Sequence, residues 1–135
     1  MAIIKLSARF VHADSGRALS GEGLTVRFCD RDPIKDDVLG ESLLSPDGLA
    51  EVVTTTGSFH SGFSFGERTP DLYCVVCDHG RPVYRTRVAW NTPVVEHGRV
   101  SKEALLTHDL GTFRYTRGEG LTDGPHGGMG LKPVF

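Results

Sequence analysis

Short runs of alternating apolar and polar residues make up most of the chain and predict β-strands. In Ile3–Ala13, the apolar residues Ile4, Leu6, Ala8 and Phe10 occupy every second position, and polar residues stand between them. Successive side chains of a strand point to opposite faces of its sheet. The alternation therefore predicts a strand that buries one face and exposes the other.

Further segments share this strand-like character, and turn-forming residues separate them. They are Leu24–Cys29, Val38–Leu44, Leu49–Thr55, Leu72–Asp78, Pro82–Trp90 and Leu110–Thr116. Ser45-Pro46-Asp47-Gly48 predicts a tight hairpin turn, because Pro fixes φ and Gly accepts positive φ, and Asp78-His79-Gly80-Arg81 predicts another. Helical periodicity is confined to a weak trace at Ser101–Thr107. Strands and turns at this spacing predict an all-β fold, an antiparallel β-sandwich of about seven or eight strands.

Composition and charge narrow the range of functions. The 135 residues include 15 Lys and Arg against 17 Asp and Glu, a net charge of −2 with no basic run, which argues against nucleic-acid binding. No apolar stretch approaches the roughly 20 residues that span a bilayer, so we expect no membrane span. Met1–Leu6 lacks the apolar region of a secretory signal, and three Cys are an odd count for internal disulfides. We therefore expect a reduced, cytoplasmic protein.

The composition changes at Gly118. From Gly118 to Gly130 the chain is rich in glycine and poor in large apolar residues. We expect residues 1–117 to form the sandwich domain and residues 118–135 to form a glycine-rich extended or flexible tail. Because such a tail can add a strand or the aromatic Phe135 to a neighbour, we expect a protein partner or self-association as a homo-oligomer.

Several short motifs within residues 3–90 resemble those of transthyretin-like and carboxypeptidase-regulatory-like domains. The motifs are Asp14–Gly21, Leu24–Phe28, Leu39–Glu41, Ser45–Val52 and Pro70–Tyr73. Ala18 stands where that family usually has Pro. The resemblance implies a prealbumin-like sandwich, and it implies a non-catalytic binding or assembly module rather than an enzyme.

The enzymatic branch of that family, the 5-hydroxyisourate hydrolases, provides an alternative. Those enzymes have a His on the first strand, an Arg in mid-chain and a terminal Tyr-Arg-Gly-Ser. His12 falls later in the strand than that pattern places it, and Tyr115-Thr116-Arg117-Gly118 is an interrupted form of the terminal motif. A small hydrolase of this type requires His12 to converge with Arg87 or Arg117 in one pocket. Since no catalytic constellation is complete, we assign no catalytic residue.

An acidic loop provides the other alternative, a calcium-dependent binding domain. Its four carboxylates are Asp30, Asp32, Asp36 and Asp37. Calcium takes about six to eight oxygen ligands, for which clustered carboxylates are a common source. Asp30–Gly40 is also similar to a calcium loop of the synaptotagmin-type membrane-binding domains. The competing interpretation is a solvated loop whose Asp side chains cap turns, with Arg31 and Lys35 offsetting part of the charge. Calcium is the only cofactor that these residues suggest.

The cysteines predict buried thiols rather than a zinc site. Cys74 and Cys77 are three residues apart in a predicted strand, so their side chains point to opposite faces and cannot easily hold one ion. Cys29 has no nearby Cys in the sequence. We expect all three to act as small hydrophobic residues.

Five aromatic residues have two open interpretations. They are Phe59, Phe63, Phe65, Tyr84 and Trp90. They either fill the core or line a ligand-binding patch, since aromatic side chains dominate recognition surfaces.

Overall fold

The computed structural model describes residues 2–31, 36–55, 71–88, 95–100 and 103–121. They form eight strands: β1 (Ala2–His12), β2 (Leu24–Asp30), β3 (Asp37–Leu43), β4 (Leu49–Thr55), β5 (Leu72–Asp78), β6 (Arg81–Arg85), β7 (Val95–Val100) and β8 (Glu103–Tyr115). No helix long and apolar enough to cross a membrane occurs in these ranges.

The strands make two four-stranded sheets, in the orders β4-β1-β8-β7 and β3-β2-β5-β6. This architecture confirms the predicted all-β sandwich. The antiparallel prediction is wrong for one pair, because β1 and β8 run parallel, from Ala2 beside Ala104 to His12 beside Tyr115. Alternation along a strand shows which face is buried but does not encode the direction of its neighbour, which the connections between strands decide.

The core lies between the two sheets and is built from alternate residues, as predicted. The fully buried residues of β1 are Ile4, Leu6, Ala8 and Phe10. Val26 and Phe28 of β2 meet them from the opposite sheet. Phe10 also makes an edge-on contact with the Tyr84 ring, with centroids 6.3 Å apart. Each large apolar side chain buried in this way contributes about 1.5–3 kcal/mol.

The two predicted turns both form, but only one of them closes a hairpin. At Asp78–Arg81 the chain turns between the antiparallel neighbours β5 and β6. At Ser45–Gly48 the Gly48 N–H donates to the Ser45 carbonyl at 2.9 Å, yet β3 and β4 belong to different sheets. The hairpin prediction is therefore wrong there, because the same tight turn can carry the chain across the sandwich.

The sequence patterns missed one strand and the start of another. β7 contains Gly98 in an irregular register against β8, so its alternation is broken. β8 begins at Glu103 rather than at the predicted Leu110. Its first part, Glu103–Thr107, pairs with β7, although this segment showed weak helical periodicity in the sequence. The strand predicted at Pro82–Trp90 ends as β6 at Arg85.

Candidate functional site

The predicted calcium ligands are spread over the facing ends of β2 and β3. Asp30 is the last residue of β2 and is only 1% exposed. Its Oδ1 accepts a hydrogen bond from the Asp71 backbone N–H at 3.3 Å. Asp37 begins β3 directly opposite Asp30 in the strand register. Asp32 lies outside the described residues.

Asp36, just before β3, contacts Tyr73 of β5 in the same sheet and Arg31 just after β2. Its Oδ2 accepts a hydrogen bond of 2.5 Å from the Tyr73 hydroxyl, and its Oδ1 lies 4.0 Å from Arg31 Nε. Across the described ranges, no group of three or more His, Cys, Asp or Glu side chains is arranged to hold a metal ion. The calcium site stays a prediction, since Asp32 is not described and an ion at Asp36 would compete with Tyr73 and Arg31.

The buried Arg85 lies next to this contact. Its side chain is on β6 and is 2% exposed, with Cζ 4.9 Å from the centre of the Tyr73 ring. Nε and Nη1 are buried and have no hydrogen-bond partner among the described residues. Burial lowers the pKa of Arg85 below its usual value. A buried cation with free donors costs folding free energy unless an acceptor is supplied, so Arg85 is a candidate binding residue.

The cysteines are buried on both faces of β5, as predicted. Cys74 packs in the core between the sheets, whereas Cys77 and Cys29 pack in a second cluster with Tyr73 on the other face. Burial raises the pKa of the Cys29 thiol to about 11, and it raises the pKa values of Cys74 and Cys77 as well. The thiols are therefore protonated at neutral pH and are poor nucleophiles.

The residues of the hydrolase alternative lie in three different settings. The His12 ring makes an edge-on contact with Tyr115, with centroids 5.9 Å apart. Arg117 Nη1 lies 3.2 Å from Asp78 Oδ2 on the opposite sheet. Arg87 lines a cleft whose described lining does not include His12. These contacts do not provide the convergence that the hydrolase alternative requires.

The cleft that includes Arg87 lies where the two sheets separate. β7 pairs with β8 only as far as Thr107, so β8 has β1 as its one strand neighbour over Gly111–Arg114 among the described residues. Facing it, β6 is an outer strand of the second sheet. The cleft has a volume of about 470 Å³, within the range of small-molecule sites.

Aromatic side chains fixed in the core form one wall of this cleft. Tyr84 and Phe113 line it. Phe113 packs on Phe10 with ring centroids 5.5 Å apart, and Tyr84 packs on Tyr115 at 5.4 Å. Burial, and secondly the Glu119 carboxylate, raise the pKa of Tyr84 to about 12. The wall is therefore rigid, and its phenol stays protonated.

Charged residues also line the cleft. Among the described residues these are Arg87, Arg114 and Glu119, whereas Arg85 meets the cleft through its backbone, beside Gly120. Arg87 and Arg114 are exposed. Arg114 is partly anchored, because its Nη2 donates to the Ala13 carbonyl at 3.1 Å. The Arg85 guanidinium lies instead on the other face of its sheet, beside the Tyr73 ring, so it adds no charge to the cleft.

The first residues of the predicted tail complete the cleft. The Gly118 N–H donates to the Val83 carbonyl at 2.6 Å, and the Arg85 N–H donates to the Glu119 carbonyl at 3.0 Å. Gly120 has a φ of 80°, and a Cβ there would lie 2.2 Å from the Arg85 carbonyl oxygen. The segment is thus held against β6. Residues 122–135 lie outside the described residues, so the tail itself stays a prediction.

Two residues of this cleft were singled out from the sequence, but the sequence did not predict that they line one cleft. Tyr84 belonged to the aromatic set and Arg87 to the hydrolase alternative. The available signal is the pair of aromatic-Arg dipeptides, Tyr84-Arg85 and Phe113-Arg114, near the ends of two strands. Interpreting that signal requires knowing that the two strands face each other. Phe59, Phe63, Phe65 and Trp90 lie outside the described residues.

No protein-family model matches this chain, and no curated protein matches it in sequence. Solved structures similar to it include a 9R-lipoxygenase from Cyanothece PCC8801, with a TM-score of 0.52 and 19% identity over 91% of this chain. Another is catechol 1,2-dioxygenase from Acinetobacter sp. ADP1, with a TM-score of 0.44 and 13% identity over 85% of this chain. The chain spans 18% of the lipoxygenase and 53% of the dioxygenase. At 19% identity, the likeness to the lipoxygenase concerns the β-sandwich fold alone.

Proposed function

We propose that the protein is a non-catalytic binding module built on a transthyretin-like β-sandwich, and that the cleft between β6 and β8 holds its ligand. The cleft carries this proposal, because it combines a volume of about 470 Å³ with charged and aromatic lining residues. Guanidinium groups bind and orient acceptors but stay protonated at neutral pH. Tyr84 is likewise held in its protonated form. The lining therefore suits binding better than proton transfer.

A screen of small fragments of mixed charge tests this function. Amide NMR spectra of labelled protein should show shifts concentrated at Arg87, Thr112–Arg114 and Gly120. Thr112→Trp places a large side chain in the cleft and should abolish these shifts. Glu22→Trp adds the same side chain in an exposed turn outside the cleft lining and should leave them unchanged. Fragments that shift only residues elsewhere, or none at all, would contradict the proposal.

Self-association is the second proposed role, and exposed apolar residues on the other side of the sandwich favour it. Val38 and Leu43 on β3 are 60% and 73% exposed, and Val53 on β4 is 66% exposed. β3 and β4 are outer strands of their sheets. Large apolar side chains on outer strands are typical of surfaces that meet another chain. We propose that a second copy covers this edge.

A cytoplasmic location is the third part of the proposal. Cys29, Cys74 and Cys77 are free thiols, and unpaired cysteines suit a reducing compartment. Fractionation of cells that produce the protein tests this location. Recovery outside the cytoplasm would contradict it.

A further inference from the structure

We infer that Arg85 is the centre of a second binding site, which holds a small inorganic anion on the outer face of the β3-β2-β5-β6 sheet. Successive side chains of a strand point to opposite faces. Tyr84 accordingly packs in the core between the sheets, whereas Arg85 contacts Tyr73 of the cluster on the other face. The site is thus separate from the cleft, and the inference does not depend on the proposed function.

The unpaired donors of Arg85 are the main reason for this inference. The side chain is 2% exposed, and its Nε and Nη1 atoms are buried without a hydrogen-bond partner in the described ranges. A guanidinium keeps its proton in proteins, so burial does not remove its charge. Unpaired polar groups are rare in protein interiors, and a bound ion or water is a common explanation for them. We therefore expect an acceptor at these two donors.

The carboxylates nearest to this face are bonded to other groups. Asp36 lies close enough to Arg85 to affect its charge, but its Oδ2 accepts the hydrogen bond of the Tyr73 hydroxyl. Asp30 Oδ1 accepts a hydrogen bond from the Asp71 backbone N–H. Neither carboxylate bonds to Nε or Nη1 of Arg85. The acceptor therefore has to come from outside the described residues.

Tyr73 holds the guanidinium in a fixed position. Arg85 Cζ lies 4.9 Å from the centre of the Tyr73 ring, a cation–π contact. Tyr73 is itself only 3% exposed, and its hydroxyl is bonded to Asp36. Burial raises the pKa of the Tyr73 hydroxyl, so the ring stays neutral and does not compensate the charge of Arg85. An anion would bind a preordered cation and would cost little side-chain freedom.

Burial and charge together favour a small inorganic anion, such as chloride or phosphate. A water molecule at this place would accept hydrogen bonds but leave the positive charge uncompensated, whereas an anion provides both. Arg85 and Tyr73 are almost fully buried, so these side chains expose little surface to a larger organic ligand. We therefore expect a structural ion that stabilises the folded state.

Side-chain NMR of the labelled wild-type chain tests the inference directly. The protein is unfolded in urea and refolded in a buffer free of chloride and phosphate, so that no bound anion is carried over. Sodium chloride and sodium phosphate are then added separately, with ionic strength held constant by the bulky sulfonate HEPES. We expect one or both salts to change the Arg85 Nε–H signal saturably. The loss of this signal in Arg85→Lys assigns it.

An Arg85 Nε–H signal that neither salt changes would overturn the inference. The acceptor would then be water or another part of the chain. A signal that changes without saturation would also overturn it, because a specific site fills.

Urea unfolding with matched variants measures the same site through stability. Above the dissociation constant, a tenfold rise in anion concentration should multiply the folding equilibrium constant of the wild-type chain by about ten. Arg85→Met should lose this dependence. Arg81→Met, which removes an exposed arginine at the start of β6, should keep it. Asp36→Asn should strengthen anion binding, because it removes a negative charge near Arg85.

General salt effects act on all variants alike, so the difference between Arg81→Met and Arg85→Met isolates the site. Equal anion dependence in these two variants would overturn the inference. If Arg85→Met does not fold, the Arg85 Nε–H titration of the wild-type chain decides alone. The fragment screen of the cleft is a separate experiment, so failure of the anion site leaves the proposed function intact.

Discussion

Gly120 shows how one residue fixes the wall of the cleft. A side chain there would collide with the Arg85 carbonyl oxygen, at 2.2 Å from the Cβ position. Gly118, also at positive φ, has no atom within 4 Å of its Cβ position. The two glycines therefore share a backbone conformation but differ in the space around them.

We predict that Gly120→Ala reduces both stability and ligand binding more than Gly118→Ala. Both variants carry the cost of positive φ, about 1–2 kcal/mol. Only Gly120→Ala must also push the chain away from β6 and break the bond between Arg85 and Glu119. Chemical denaturation and the fragment titration measure the two effects. Equal losses in both variants would contradict the proposed close packing.

Asp78 ties the β5–β6 turn to the segment after β8. Hydrogen bonds from His79 and Arg117 lower the pKa of its carboxyl below the ordinary 3.8. Because folding lowers this pKa, the two hydrogen bonds stabilise the folded state above pH 3.8. This stabilisation is lost as the pH falls through the folded-state pKa.

We predict that Arg117→Gln raises the Asp78 pKa, as measured by carboxyl NMR titration. Arg9→Gln, which alters a distant arginine, should not, and an unchanged value in Arg117→Gln would contradict the contact.

The contacts of Asp36 bear on whether the acidic loop binds calcium or is a solvated loop. Its oxygens already face the Tyr73 hydroxyl and Arg31. We therefore predict no rise in melting temperature when calcium is added to chelated protein. Tyr73→Phe removes this hydrogen bond and tests whether the Tyr73 hydroxyl competes with calcium for Asp36. A clear rise with the wild-type chain would make the calcium-dependent domain the better account.

At the scale of elements, β1 could be predicted from the sequence, because its alternation is local and its buried face is complete. β7 could not be predicted, since its register against β8 shifts between Glu96 and Gly98. The parallel pairing of β1 with β8 depends on residues about a hundred positions apart, a relation that local patterns do not contain. The cleft could not be predicted for the same reason, because Tyr84 and Phe113 come to line one cleft only through the arrangement of the two sheets.

The exposed apolar residues of the outer strands β3 and β4 lead to a prediction about self-association. Leu43 is the most exposed of the large apolar residues on β3 and β4. We predict an oligomeric mass by light scattering, and we predict that Leu43→Lys lowers it, because a charge on the contact surface must be desolvated on association. Thr116→Lys, after β8, should keep the wild-type mass. A wild-type monomer, or an oligomer that Leu43→Lys leaves intact, would contradict association through this edge.

At the scale of the whole molecule, the sandwich separates two kinds of surface. The β3–β4 side exposes apolar residues, whereas the β6–β8 side has a cleft lined by charged residues and by core aromatics. Both sheets line the cleft, through Tyr84 of β6 and Phe113 of β8, and the segment around Gly120 is hydrogen-bonded to β6. The two proposed roles, ligand binding and self-association, therefore use opposite sides of the sandwich.

The most direct test of the central claim is an amide NMR titration of the labelled wild-type chain with the fragments of the screen described above. The account predicts saturable shifts confined to the cleft, at Arg87, Thr112–Arg114 and Gly120, which disappear in Thr112→Trp. Shifts centred instead on the β3–β4 edge or the acidic loop, or the same shifts in Thr112→Trp, would contradict the cleft as the binding site.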